Sequence, residues 1–205
     1  LPCARDPRAP AARAGVHLLD APVTGGAEGA AAGTLNVLVG GEPEAHARAL
    51  GVLDAIGSRY DLLGPHGAGY VGKIASVSLC YLHSVCLTEA LLLGARGGVP
   101  PAKMLDIIRH STGRSYVADR YGPELLSGGY DATFDLALAA KDMRLAMTLA
   151  EAVDASLPFM QQVHDLYGRA ESELPGTSPH LAAMQLLERD NGLLLHEHAH
   201  EHDQG

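Results

Sequence analysis

The chain has 205 residues, of which 47% are hydrophobic, 19% charged and 4% aromatic, with no Trp. That apolar share excludes a disordered or low-complexity polymer and is enough for one large domain or two small ones. Fifteen Lys and Arg against 24 Asp and Glu leave a net charge of -9, which argues against a nucleic-acid partner, because phosphates require a clustered basic face.

In chain order, residues 16–22 (VHLLDAP) read as a buried strand that runs into a Gly-Gly turn. A small-residue loop is expected over 24–33, then a strand over 34–41 (TLNVLVGG), a helix over 42–56 and a strand over 58–64. Strand, helix and strand in this short span predict a βαβ unit with parallel pairing. Composition changes at Gly67, after which only helical periodicity remains. Helices are expected over 70–96, 101–110, 115–126, 136–153, 158–173 and 179–190, the first of them about 40 Å long at 1.5 Å per residue. The fold class is therefore a partial α/β layer built on one βαβ unit (1–66), joined through one long helix to an all-α domain (67–191). A His-rich, frayed tail is expected over 192–205.

Cys3, Cys80 and Cys86 are odd in number and contain no CxxC. Cys80 and Cys86 stand six residues apart in one helix, about 9 Å along its axis, too far for a disulfide. A reducing, cytoplasmic setting is the expectation. The first residues, LPCARDPRAPAARAG, lack the apolar run of a secretory leader. The uncharged run 74–88 is too short and too polar to span a bilayer, so no membrane partner is expected. Because the chain opens on Leu rather than Met, it is expected to be either an artificially trimmed form or one missing its natural beginning.

Residues 67–73, GAGYVGK, fit GxGxxG at Gly67, Gly69 and Gly72, and nearly fit a P-loop ending in Lys73. Neither phosphate-loop reading has its context. No strand follows to supply a ribose-binding acid, and Ile74 stands where a P-loop needs Ser or Thr. A glycine-rich helix start that allows close backbone packing is the simpler account. Lys73 then falls in the first turn of an apolar helix, where the dipole disfavours a cation, so its ammonium is either used or snorkels to solvent. Upstream, Asp-Ala-Pro followed by Thr24, Gly25 and Gly26 places a hydroxyl and backbone N–H groups at the end of a strand. In open α/β sheets ligands bind at such ends, and this group of donors suits a carboxylate.

Three stretches, 19–41, 67–73 and FDLALAAKDMRLA at 134–146, stand in the order and spacing of the β-hydroxyacid dehydrogenases. Through them the chain resembles the 3-hydroxyisobutyrate dehydrogenase family, which includes tartronate semialdehyde and glyoxylate/succinic semialdehyde reductases. The resemblance implies an NAD- or NADP-dependent oxidoreductase acting on a small hydroxy acid or its semialdehyde. It implies that Thr24, Gly25 and Gly26 hold the substrate carboxylate and that Lys73 is the catalytic acid/base. Lys141, with Asp142 after it, and Phe134 would lie near the nicotinamide. Where the family carries two Asn after the catalytic lysine, this chain has Ser76 and Val77. Ser76 is thus a substrate-binding candidate, while Val77 cannot donate, so the substrate is left open. The family's Gly-rich loop after its first strand is not found in 1–14, so the chain reads as a truncated form lacking most of the NAD(P) site.

His196, His198, His200 and His202 alternate in the tail, a spacing that catches metals adventitiously, and no metal site is expected. Cys80 and His83 read as packing residues. The helix over 70–96 is apolar on more than one face, so a homodimer covering it is expected, as the resemblance also implies. The competing reading is a non-catalytic helical dimerisation or ligand-binding module derived from such an enzyme.

Overall fold

The computed structural model describes residues 8–198. Its elements in order are α1 (Arg8–Arg13), β1 (Val23–Thr24), α2 (Gly26–Ala32), β2 (Leu35–Gly40), α3 (Pro43–Ile56) and β3 (Gly57–Gly64). There follow α4 (Ala68–Arg96), α5 (Pro101–Arg109), α6 (Tyr116–Arg120), α7 (Gly122–Ser127), α8 (Leu136–Ala152) and α9 (Pro158–Glu173). A 3-10 turn (His180–Ala183) leads into α10 (Met184–Asn191), and α11 (Leu195–His198) ends the described chain. The chain divides into two units. The first runs to Val77 and includes Glu151–Asp154; the second comprises Ser78–Ala150 and the chain from Ala155 onward. A small sheet with helices followed by a helical domain is the expected fold class.

In the first unit β2 is the middle strand of a three-stranded sheet, order β1-β2-β3. It pairs parallel with β3, as the strand–helix–strand pattern predicts, and antiparallel with β1 (Val23↔Val37, Thr24↔Asn36). Val37 and Val39 are buried with Leu53 of α3, and Leu19, Tyr60 and Leu62 close over them. A central strand covered on both faces reads as a continuous apolar run rather than an alternating one.

Two local expectations need correcting here. The strand expected over 16–22 is reduced to an isolated antiparallel bridge, Asp20↔Gly40, and the two-residue β1 lies just beyond it. Pro22 has no N–H to donate, and only its carbonyl is used, by Leu38 N–H. The loop over 24–33 is a helix from Gly26, because its alanines favour helix and Gly33 at φ 67° supplies a left-handed cap. An unexpected helical turn, α1, also precedes the sheet.

In the second unit the expected helix over 115–126 is broken into α6 and α7. Pro123 cannot donate to the carbonyl of Asp119, and Ser115 caps the first piece through Ala118 N–H. The helix over 179–190 starts as a 3-10 turn. The tail is not frayed at its start: Leu195 is buried, and its N–H donates to Glu188 Oε1 at 2.9 Å. Glu188 is itself buried and accepts the Tyr130 hydroxyl at 2.6 Å. His200 and His202 lie outside the described residues.

α4 is long and apolar enough to cross a membrane by length and composition, a property the shorter uncharged run 74–88 did not convey. Ser78, Ser84 and Thr88 are nonetheless fully buried beside Tyr81, Leu87, Leu91 and Leu92. Ser84 and Thr88 satisfy their hydroxyls on carbonyls one turn back. The remaining surface of the helix leaves Leu79 and Leu93 exposed.

Candidate active site

Asp20 is the hinge-pin of the first unit. Its carboxylate is 3% exposed in residue terms and accepts the N–H groups of Gly67, at 2.6 Å, and Tyr70, at 3.0 Å. These are N–H groups at the start of α4, which have no partners within the helix, and an anion there also suits the dipole. His66 Nδ1 lies 3.4 Å from the same carboxylate. GAGYVGK therefore cannot cradle a phosphate: the chain's own carboxylate occupies that place. The glycines serve close packing instead. A Cβ on Gly69 would lie 2.3 Å from the Leu38 carbonyl, and one on Gly72 would lie 2.6 Å from Leu63.

Lys73 sits half-buried in α4. The helix starts at Ala68 rather than at 70, which puts Lys73 in the second turn. The dipole argument for a misplaced first-turn cation loses its basis, since the effect fades beyond the first turn. Ser76 is exposed, one turn further along the same face. Thr24 is half-buried at the end of β1, opposite Asn36. Gly25 and Gly26 take φ of 123° and 63°, which L side chains rarely adopt, and they open α2. A threonine hydroxyl is thus followed by the first N–H groups of a helix, a set of donors that fits a carboxylate.

In the second unit α8 presents Lys141 and Asp142. Lys141 Nζ lies 3.4 Å from Asp142 Oδ1, and the lysine side chain is 52% exposed. Tyr81 of α4 donates its hydroxyl to Asp142 Oδ2 at 3.2 Å. Burial first, and the Asp142 charge second, push the Tyr81 phenol well above the ordinary tyrosine range, so it remains a donor. Phe134 is half-buried just before α8, with its ring edge-on to that of His180 and the two ring centroids 5.8 Å apart.

No short-range pattern announced the buried pair behind Phe134. His180 Nε2 meets Asp131 Oδ2 at 3.0 Å, both residues nearly inaccessible. Burial outweighs Asp131 and lowers the His180 pKa, so a neutral imidazole donates to the carboxylate. Its Nδ1 has no partner among the described residues. Asp131 adopts φ 54° and is steadied by Thr133 Oγ1 at 2.8 Å, with Arg120 3.7 Å away. Backbone bonds complete the clamp: His180 N–H to Phe134 O, Leu136 N–H to Ser178 O and Ala137 N–H to Gly176 O. Phe134 and the start of α8 are therefore held from two sides.

The profile described as the NAD-binding part of NADP-dependent 3-hydroxyisobutyrate dehydrogenase matches residues 67–187, more than half of the chain. The chain belongs to the 3-hydroxyisobutyrate dehydrogenase family. Residues 3–64 match the NAD-binding domain of 6-phosphogluconate dehydrogenase. Among relatives of this dehydrogenase family, the 3-hydroxyisobutyrate dehydrogenase of Pseudomonas aeruginosa is 38% identical over 81% of this chain and 59% of its own length. The NAD-dependent L-serine dehydrogenase of the same organism is 36% identical over 80% of this chain and 57% of its own. The solved Mycobacterium tuberculosis 3-hydroxyisobutyrate dehydrogenase with L-serine superposes with a TM-score of 0.81 at 28% identity, covering 88% of this chain and 64% of that one. The chain thus spans somewhat over half the length of these relatives.

Proposed function

We propose that the chain is the substrate-binding and catalytic portion of an NAD(P)-dependent dehydrogenase for a small β-hydroxy acid or its semialdehyde. The observation that carries this is the first unit's construction: carboxylate donors at Thr24–Gly26 and a half-buried Lys73 stand on two segments pinned together by Asp20. The names of the relatives support the substrate class, since 3-hydroxyisobutyrate and L-serine both carry a hydroxyl on the carbon β to a carboxylate.

Residues present fit the nicotinamide end of the cofactor. The half-buried Phe134 offers an aromatic ring, and Lys141 offers an accessible ammonium anchored by Asp142. The filled start of α4 does not fit its pyrophosphate, so the activity belongs to a polypeptide that supplies the rest of that site. A nicotinamide held by Phe134 and Lys141 would supply hydride transfer to or from a substrate carbon. Thr24 with the Gly25 and Gly26 N–H groups fixes the substrate carboxylate. Lys73 Nζ takes the hydroxyl proton as the alcohol becomes a carbonyl, and returns it in the reverse direction. Ser76, exposed one turn on, would offer its hydroxyl to a further substrate oxygen.

The exposed Leu79 and Leu93 of α4 support a homodimer that covers this helix. The thiols of Cys80 and Cys86 support a reducing, cytoplasmic setting. The test is Lys73→Ala in the polypeptide with its complete cofactor domain. Turnover of 3-hydroxyisobutyrate or L-serine, followed by NAD(P)H absorbance, should fall about 10²–10⁴-fold. A variant with near-normal turnover removes Lys73 from the reaction.

A further inference from the structure

We propose that Asp20 is a positioning residue that sets Lys73 against the substrate loop, acting through the start of α4 rather than on the substrate. The inference rests on the reading of Thr24–Gly26 and Lys73 given above. Asp20 belongs to both segments at once. Its backbone exchanges bonds with Gly40, N–H to O at 3.0 Å and O to N–H at 2.8 Å, which fixes the segment that leads four residues later to Thr24. Its carboxylate holds the N–H groups of Gly67 and Tyr70, the second of them one turn before Lys73.

Helical side chains lean back toward the N-terminus, so Lys73 covers the turn that Asp20 holds. The seat is built for a carboxylate and nothing bulkier. A Cβ on Gly40 would stand 2.4 Å from Asp20 Oδ1, and one on Gly69 would stand 2.7 Å from Oδ2. A capping role alone would be filled by Ser, Thr or Asn beside the helix in sequence. Here the cap is drawn from 47 and 50 residues away, out of the segment that carries the substrate loop.

The experiment uses the full chain labelled for NMR, titrated with 3-hydroxyisobutyrate. In the parent chain the amides of Thr24, Gly25 and Gly26 and the Lys73 side-chain resonances should respond together; a parent chain in which neither group responds overturns the functional reading, and the positioning role with it. In Asp20→Ala the loop amides should still respond, Lys73 should not, and the hydroxy-acid Kd should weaken roughly tenfold, the scale of one lost hydrogen bond. Added formate should refill the vacated seat, restoring the Gly67 and Tyr70 amide shifts and the Lys73 response. If formate restores the two amides while Lys73 responds normally with or without it, Asp20 is only a helix cap and the proposal fails. The proposal also fails if both groups respond in Asp20→Ala as in the parent. Should Asp20→Ala not fold, Asp20→Asn retains the shape and one acceptor oxygen while setting an N–H₂ against one backbone N–H. It should displace the Gly67 or Tyr70 amide and the Lys73 response together, and displacement of the amide alone overturns the role.

Discussion

Replacing Gly69 by Ala puts the packing of α4 on the sheet to a test in which two effects of opposite sign compete. Alanine in a helix is favoured over glycine by about 1 kcal/mol. Against that, the new Cβ would stand 2.3 Å from the Leu38 carbonyl, 2.7 Å from Asp20 Oδ2 and 3.0 Å from the Asp20 carbonyl. Two of these neighbours are backbone, and ordinary contact begins near 3.4 Å, so α4 must retreat by about an ångström. Overpacking of that kind costs about 1–3 kcal/mol. The retreat also stretches the bonds from Gly67 and Tyr70 to a buried charge, each worth about 1.5–3 kcal/mol. The net expectation is a loss of about 2 kcal/mol or more. Gly51 in α3 and Gly168 in α9 are the controls, because a Cβ at either meets nothing within 4 Å. Their alanine variants should gain roughly 0.5–1 kcal/mol. Urea unfolding followed by circular dichroism, with hydrogen exchange at β2 to assign the transition, gives all three values. A Gly69→Ala chain as stable as its parent would refute the close-packing account of the glycine-rich helix start.

Other outcomes follow from the second unit. Tyr130→Phe leaves Glu188 Oε2 buried without its donor and should cost about 2–3 kcal/mol, roughly 5–10 °C in thermal midpoint; no change would mean the carboxylate is satisfied elsewhere. His180 has its folded pKa lowered by burial, so between that value and about 6.5 the unfolded chain binds the extra proton. Its contribution is present above pH about 6.5 and is lost as pH falls toward the folded value, with a slope of at most about 1.4 kcal/mol per pH unit. His180→Phe should remove that slope from stability measured between pH about 5 and 7, and an unchanged pH dependence would show that His180 is not the titrating group.

The sequence discloses most where neighbours along the chain decide the outcome. The run TLNVLVGG and the helix that follows it are set by local apolar period and by Pro43 at the helix start, and both appear where expected. α9 begins at Pro158 and ends at Glu173, as its period and proline require. The failures have equally local causes that a periodicity reading passes over. Apolar spacing continued through Pro123, although the missing N–H splits α6 from α7. The run of small residues after Gly26 resembled a loop, although alanine is the strongest helix former.

For the site, the Thr24–Gly26 donors and Lys73 stood out from their own pattern as well as from the family resemblance, whereas the Lys141–Asp142 pair was singled out by the resemblance alone. What holds them in place was not legible, because those bonds join residues far apart in the chain. Asp20 reaches across 47 residues to Gly67, His180 across 49 to Asp131, and Tyr81 across 61 to Asp142. Each of the three places a buried side chain behind an exposed or half-buried group that the motifs single out. A motif records which atoms a reaction requires, and a reaction that tolerates little displacement also needs those atoms held. In this chain the holding falls to buried carboxylates and their donors: Asp20 behind Lys73, Asp131 behind Phe134. A carboxylate withdrawn from water keeps its place only while its donors stay, so losing either Asp20 or its glycine cradle should loosen the site before it unfolds the chain.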